Sequence, residues 1–148
     1  SKPGDFVTRD GKVVGRHRGI LHYTIGQRKG RELGGGGTPG YVGEIDAERN
    51  RIVVGSREEL GAPELLAGDL NWISMEGPPA HPLRCRVQIR QRHRAAAATV
   101  SDAGHGRVRA VFDEPQVSVT PGQMAVWYDG DQILGSGTIE KLSVAVVN

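Results

Sequence analysis

Glycine occupies 22 of the 148 positions and is joined by eight prolines, and this frequency restricts the chain to short elements of secondary structure. Glycine suits turns and close backbone approaches, and both residues disfavour long helices. Turn signals such as Asp10-Gly11 and Asp129-Gly130 interrupt the sequence. With 37% hydrophobic and 24% charged residues, the composition is that of a folded globular protein. We therefore expect a mainly β fold.

The first half of the chain predicts two antiparallel strand pairs and a short helix. Residues 6–7 and 12–17 flank the Asp10-Gly11 turn, and residues 41–46 and 51–55 form a hairpin rich in β-branched residues. Ser56 and Glu59 form a capping-box pattern, which predicts a helix ending near Leu60. A proline at position 63 predicts a second helical turn through Leu66, and strand character returns at residues 68–73. The four glycines at 34–37 predict a loop.

The second half predicts a small closed barrel. Apolar residues alternate with arginine or glutamine from Leu83 to Arg90, a period of two that places one face inward. Further strands are predicted at residues 95–101, 107–112, 117–119, 124–128 and 132–140. Six short antiparallel strands favour closure, which removes exposed edges. Three prolines between residues 78 and 82 place the predicted domain boundary there, giving domains 1–77 and 78–148.

Positive charge is unevenly distributed, although the net charge is only +2. The stretch from Lys12 to Arg31 contains six basic residues and no acidic one. A second concentration contains Arg84, Arg86, Arg90, Arg92, Arg94, Arg107 and Arg109. Two basic segments on an otherwise balanced chain are typical of a protein that binds a polyanion such as RNA. The alternative, that they are only solvated strand faces, stays open from charge alone.

Other function classes find little support in the sequence. No apolar run approaches the roughly 20 residues that span a bilayer, and we expect a cytoplasmic protein. Cys85, the single cysteine, occupies an inward position of the alternating strand, which favours a small core residue over a nucleophile. The five histidines lack metal-ligand spacing, so we expect no metal site.

One segment carries a specific family resemblance. Residues 17–30, His-Arg-Gly-Ile-Leu-His-Tyr-Thr-Ile-Gly-Gln-Arg-Lys-Gly, resemble the signature H-x-G-x-x-x-Y-T-I-G-Q-R-K-G of the tRNA-uridine 2-sulfurtransferases, also called tRNA 2-thiouridylases. We call residues 17–30 the signature segment. The resemblance continues along nearly the whole chain, through residues 50–55, 85–90, 121–123 and 134–139. Departures from the usual pattern occur at Arg31, Gln91 and Ser136.

This resemblance implies a small β-rich central domain followed by a six-stranded antiparallel β-barrel similar to those of translation factors. The family's chemistry adenylates the wobble uridine with ATP and delivers sulfur from a cysteine persulfide, and these steps belong to a nucleotide domain that this chain does not resemble. We therefore expect no cofactor and no catalytic residue in this chain, since ATP and persulfide sulfur belong to that other domain. The expected partners are the tRNA anticodon arm, the nucleotide domain and a sulfur-carrier protein.

The charge pattern and the resemblance together select nine candidate RNA-binding residues: Arg16, Arg18, Gln27, Arg28, Lys29, Arg31, Arg84, Arg86 and Arg90. The cations would neutralise phosphates and Gln27 would contact sugar or base. Two alternatives stay open. The segment at residues 24–30 has a purely structural reading, as a tight turn that packs Tyr23 and Ile25. The whole chain has a second functional reading, as a protein-interaction module that docks on the nucleotide domain or a sulfur carrier.

Overall fold

A computed structural model describes residues 1–29, 40–90, 94–117 and 119–141 of the chain. The chain divides into two compact units, Ser1–Gly61 and Ala62–Asn148. The elements in chain order are β1 (Gly4–Val7), β2 (Val13–His17), a 3-10 turn (Ile20–His22), β3 (Arg28–Lys29), β4 (Gly40–Asp46), β5 (Arg51–Gly55), α1 (Arg57–Leu60), β6 (Ala62–Trp72), β7 (Leu83–Gln88), β8 (Ala96–Gly104), β9 (Arg107–Gln116), β10 (Met124–Asp129) and β11 (Gln132–Ile139). Among the described residues, no helix is long and apolar enough to cross a membrane.

The first unit is a five-stranded sheet with the order β2-β1-β5-β4-β3. The two predicted pairs are both present, as β1 with β2 and β4 with β5, and a parallel pairing of β1 with β5 joins them. Alternation along β5 buries Ile52 and Val54, which pack with Phe6, Tyr23 and Val42. The predicted four-glycine loop lies outside the described residues.

The predicted capping box starts α1. The Ser56 hydroxyl accepts from the Glu59 backbone N–H at 3.1 Å, and the Glu59 carboxylate accepts from the Ser56 N–H at 3.1 Å. These two bonds satisfy backbone donors that a helix start leaves without partners. Hydrogen bonding from Ser56 to the carboxylate, chiefly from its backbone N–H, holds the pKa of the Glu59 carboxyl below its ordinary value.

The second unit is a closed six-stranded antiparallel barrel with the order β10-β11-β6-β9-β8-β7, and β7 closes it by pairing with β10. Its core includes Leu65, Val87, Val108, Trp127 and Ile139, all essentially inaccessible to solvent. The sequence prediction of a mainly β fold with a small β unit and a six-stranded barrel is confirmed.

One barrel strand differs from the prediction. Residues 63–66 are not helical, because Ala62–Trp72 is a single strand that pairs with both β9 and β11. Pro63 is tolerated at its start, beside a register irregularity where no ladder hydrogen bond is needed. Of the predicted strand at 117–119, Val117 lies in a turn, Val119 belongs to no strand, and residue 118 is outside the described residues. The sixth barrel position belongs instead to β6, and the units therefore divide after Gly61 rather than at residue 77.

Candidate RNA interface

The buried imidazole of His17 organises the start of the signature segment. Its Nδ1 accepts from the Gly19 backbone N–H at 2.9 Å, so its Nε2 carries the hydrogen and donates to the Asn50 carbonyl at 2.9 Å. The ring also meets Phe6 and Tyr23 edge-on, at centroid distances of 5.8 and 5.9 Å. This histidine is therefore an internal support for the segment, and solvent reaches only 1% of its surface.

A closed turn at residues 24–27 leads into β3. The Gln27 N–H donates to the Thr24 carbonyl and the Thr24 N–H donates to Gln27 Oε1, both at 2.9 Å. Two backbone bonds with Val42, from Gly26 N–H at 2.6 Å and to the Gln27 carbonyl at 2.9 Å, fix the turn on β4. Gly26 has a φ of 86°, which favours glycine. Because Gln27 Oε1 accepts the hydrogen bond that closes the turn, the predicted RNA contact of this side chain would have to be made by its NH₂ group.

The described arginines of the first basic segment lie at two edges of the sheet. Arg16 and Arg18 are exposed on and just after β2, at one edge, while Arg28 is exposed on β3, at the other. The Arg16 guanidinium contacts the Asp5 carboxylate at 3.1 Å. Only the backbone of Lys29 is described, and Arg31 lies outside the described residues.

Arg84 and Arg86 are both exposed on β7, as the alternating pattern predicts. Arg84 is held in a two-pronged ion pair with Asp113, with both N···O distances 2.6 Å. These hydrogen bonds keep the pKa of the Asp113 carboxyl below its ordinary value. Arg86 donates to the Ala95 carbonyl at 3.4 Å. In the predicted row of Arg84, Arg86 and Arg90, the charge of Arg84 is thus already neutralised by a carboxylate.

Further ion pairs reduce the positive charge of the barrel. Arg107 contacts Glu140 at 3.0 Å and Arg109 contacts Glu64 at 2.6 Å. By sequence, the barrel unit contains eight basic and nine acidic residues, whereas the first unit contains eleven basic and eight acidic ones. The net positive charge of the protein therefore belongs to the first unit.

Arg90 is separated from the exposed row. It follows the end of β7, is half-buried, and lines an open groove of about 400 Å³ with Gln88, Gln123, Met124 and Val126. Of these five residues, only Arg90 was predicted as a site residue. The alternation that exposes Met124 and Val126 was visible in the predicted strand at 124–128, but the pairing of that strand with β7 was not.

Cys85 is poorly suited to nucleophilic chemistry. Burial raises the pKa of its thiol to about 11, so the reactive thiolate is scarce at neutral pH. The part of the chain that the structure describes contains no cluster of three histidine, cysteine or carboxylate side chains able to hold a metal ion.

Two family models match the two units. Residues 1–56 match the tRNA methyl transferase PRC-barrel domain, and residues 62–139 match the aminomethyltransferase beta-barrel domain. The interval between the matches contains the division between the compact units.

Curated relatives extend the match across both units. The chain is 49% identical over 142 residues to the tRNA-specific 2-thiouridylase MnmA of Nostoc punctiforme, covering 96% of this chain and 40% of that protein. It is 48% identical over 139 residues to the protein of the same name from Acetivibrio thermocellus, covering 94% of this chain and 38% of the relative. The chain thus spans about two fifths of the length of these relatives. It belongs to the tRNA-specific 2-thiouridylase family and matches the central and C-terminal parts of those proteins.

Proposed function

We propose that this chain is the tRNA-binding accessory part of a tRNA-uridine 2-sulfurtransferase and that it positions the anticodon arm for 2-thiolation of the wobble uridine. The observation that carries the proposal is the charge excess of the first unit, with Arg16, Arg18 and Arg28 exposed on its sheet edges. Cations on a fixed scaffold bind phosphates and orient an RNA with little reading of base sequence. Membership in a tRNA-modification family supports RNA as the polyanion.

In this proposal, this chain binds the tRNA, and a nucleotide domain outside it carries out the chemical steps. ATP and the persulfide sulfur are assigned to that domain, and this chain is assigned no cofactor. A sulfur-carrier protein would be a further partner, and the cytoplasm the place of action.

Charge reversal tests the role of the β3 edge. We expect Arg28→Glu combined with Lys29→Glu to weaken binding of an unmodified tRNA anticodon arm more than tenfold, because two phosphate contacts become repulsive. The slope of log affinity against log salt should decrease by about two, roughly one for each lost contact. Fluorescence anisotropy across a salt series measures both quantities.

The matched control applies the same change of net charge to the barrel. Arg94→Glu combined with Lys141→Glu alters two exposed cations of the second unit. We expect this variant to bind with nearly unaltered affinity. Equal losses in the two variants would mean that only overall charge matters, and unchanged binding of the β3 variant would refute the assignment of Arg28 and Lys29.

A second candidate function is a protein-interaction module that docks on the nucleotide domain or on a sulfur carrier. The observation that favours it is a pair of exposed apolar side chains at one end of the barrel. Ile73 and Ile133 are 56% and 37% exposed, and the Ile73 N–H donates to the Leu134 carbonyl at 3.0 Å, which makes them neighbours. If docking is the main role, Ile73→Asp with Ile133→Asp should abolish binding to the separately expressed nucleotide domain of a relative. RNA binding should then be weak in every variant.

A further inference from the structure

The outer face of the β7–β10 strand pair combines cations, amides and apolar side chains in one strip. Antiparallel register places Gln88 opposite Val126 and Arg86 opposite Tyr128. Alternation points Ala125 and Trp127 into the core, which leaves Met124, Val126 and Tyr128 on the outside. We call this strip the β7–β10 face.

One end of the β7–β10 face is concave. The groove of about 400 Å³ lies between Gln88 and Arg90 on one wall and Gln123, Met124 and Val126 on the other. Its volume lies within the range of roughly 300–1,000 Å³ typical of small-molecule and cofactor pockets. Met124 is 60% exposed, so a ligand could cover substantial apolar surface.

The groove walls are held in place before any ligand arrives. The Tyr128 hydroxyl donates to Gln88 Oε1 at 3.1 Å, which orients that carboxamide. On the other wall, the Gln123 N–H donates to the Thr120 carbonyl at 3.2 Å, and its carbonyl accepts from the Ile139 N–H at 2.8 Å. These bonds fix the backbone that presents Gln123 and Met124. A preorganised wall lowers the entropic cost of binding.

The chemistry of the lining selects the ligand class. A carboxamide offers both donors and an acceptor, the combination found on the edges of nucleobases. Arginine contacts phosphate or stacks on a base, and the Met124 and Val126 side chains supply an apolar surface for a ring. Base edges are accessible in this way only where the nucleotide is unpaired.

We propose that this groove binds one unpaired nucleotide of an RNA strand, with Gln88 and Gln123 at the base edge and Arg90 at the phosphate. The strand would continue along the β7–β10 face past Arg86. Two carboxylates limit its affinity there: Asp129, which lines a shallow surface pocket together with Arg86, and Asp113, the ion-pair partner of Arg84. The inference rests on the proposed tRNA-binding function and adds to it a second, single-strand-specific contact on the barrel.

The test compares single-stranded oligouridylate with the same strand in a duplex with oligoadenylate, using the full 148-residue chain. We expect the single strand to shift the NMR signals of the Gln123 side-chain amide and the Met124 methyl group, and the duplex to leave them in place. Gln123→Ala with Met124→Ala should weaken single-strand binding by about tenfold, which corresponds to roughly 1.4 kcal/mol. Both side chains are exposed, so the fold should be retained.

The matched control is Gln132→Ala with Ile133→Ala, the same pair of chemistries at the opposite end of the β10–β11 hairpin. It should bind the single strand as tightly as the unaltered chain does. Two results together would refute nucleotide binding in the groove and leave the proposed function standing. The Gln123/Met124 variant would bind the single strand as tightly as the unaltered chain does, and the Arg28/Lys29 variant would bind the anticodon arm more weakly. No RNA binding by the unaltered chain would overturn both.

Discussion

At the scale of single residues, the signature segment owes its form to side chains that solvent scarcely reaches. His17 links β2 to the β4–β5 turn through Asn50, whose side-chain NH₂ also donates to the carbonyls of Lys2 and Pro3 at 3.2 and 3.1 Å. A side chain at Gly4 would stand only 2.2 Å from the Asn50 carbonyl. The buried residues of the segment, His17 and Tyr23, thus form internal packing, and this packing holds the exposed arginines of the segment in place.

Replacing His17 with alanine should lower the free energy of unfolding of the first unit by about 2–4 kcal/mol. The change removes two hydrogen bonds and leaves a cavity between Phe6 and Tyr23. Both tryptophans lie in the barrel, so native-state hydrogen exchange of the β4 and β5 amides is the suitable measurement. The exposed His22→Ala is the control and should cost less than about 0.5 kcal/mol. Similar losses in both variants would refute the internal role of His17.

At the scale of elements, β11 needs glycine because other barrel groups occupy the space of a side chain. A Cβ at Gly135 would stand 2.9 Å from Trp127 Nε1 and 2.9 Å from Trp72 Cε3. The two indoles pack edge-on with a centroid distance of 5.7 Å. The glycines of residues 134–139 therefore permit close packing of β11 against β6 and β10.

Gly135→Ala should lower the free energy of unfolding of the barrel by about 1–3 kcal/mol, because the added methyl group overpacks a filled core. Urea unfolding followed by tryptophan fluorescence measures it, since Trp72 and Trp127 both belong to the barrel. Gly77→Ala is the matched control, because nothing lies within 4 Å of the added carbon. A loss as large at Gly77 as at Gly135 would contradict the packing explanation.

At the scale of the whole molecule, the two units differ in net charge. The first unit has a net charge of +3 and the barrel a net charge of −1, counted over the full sequence. Three of the barrel arginines, Arg84, Arg107 and Arg109, contact carboxylates. Long-range attraction of RNA is therefore expected to come from the first unit, with the barrel adding short-range contacts.

We expect this chain alone to form no 2-thiouridine when supplied with tRNA, ATP and a sulfur donor. Its one cysteine has a thiol pKa raised to about 11, so it remains protonated at neutral pH and would become nucleophilic only as the pH rises toward that value. Mass spectrometry of digested tRNA provides the measurement, with a full-length 2-thiouridylase as positive control. Product from this chain alone, abolished in Cys85→Ala, would establish an independent enzyme.

Much of the architecture followed from local pattern. The hairpin at 41–55, the capping box at Ser56 and the alternation at 83–90 each depend on residues near in sequence, and each is present in the structure. The strand at 62–72 was missed in part because Pro63 and the adjacent Leu65 and Leu66 are compatible with a helix as well as with a strand. Pairing with β9 and β11, more than forty residues away, decides between them.

The sequence by itself determined the fold class, the strand-rich composition and the family, since these follow from turn residues, periodicity and a contiguous motif. Only the tertiary structure decided which cations are neutralised, because Arg84 meets Asp113 and Arg109 meets Glu64 through strand pairing that no local pattern encodes. The same pairing brings Arg90 to Gln123 and Met124. Register between distant strands is set by how the barrel closes around its core, and charge placement follows from that register.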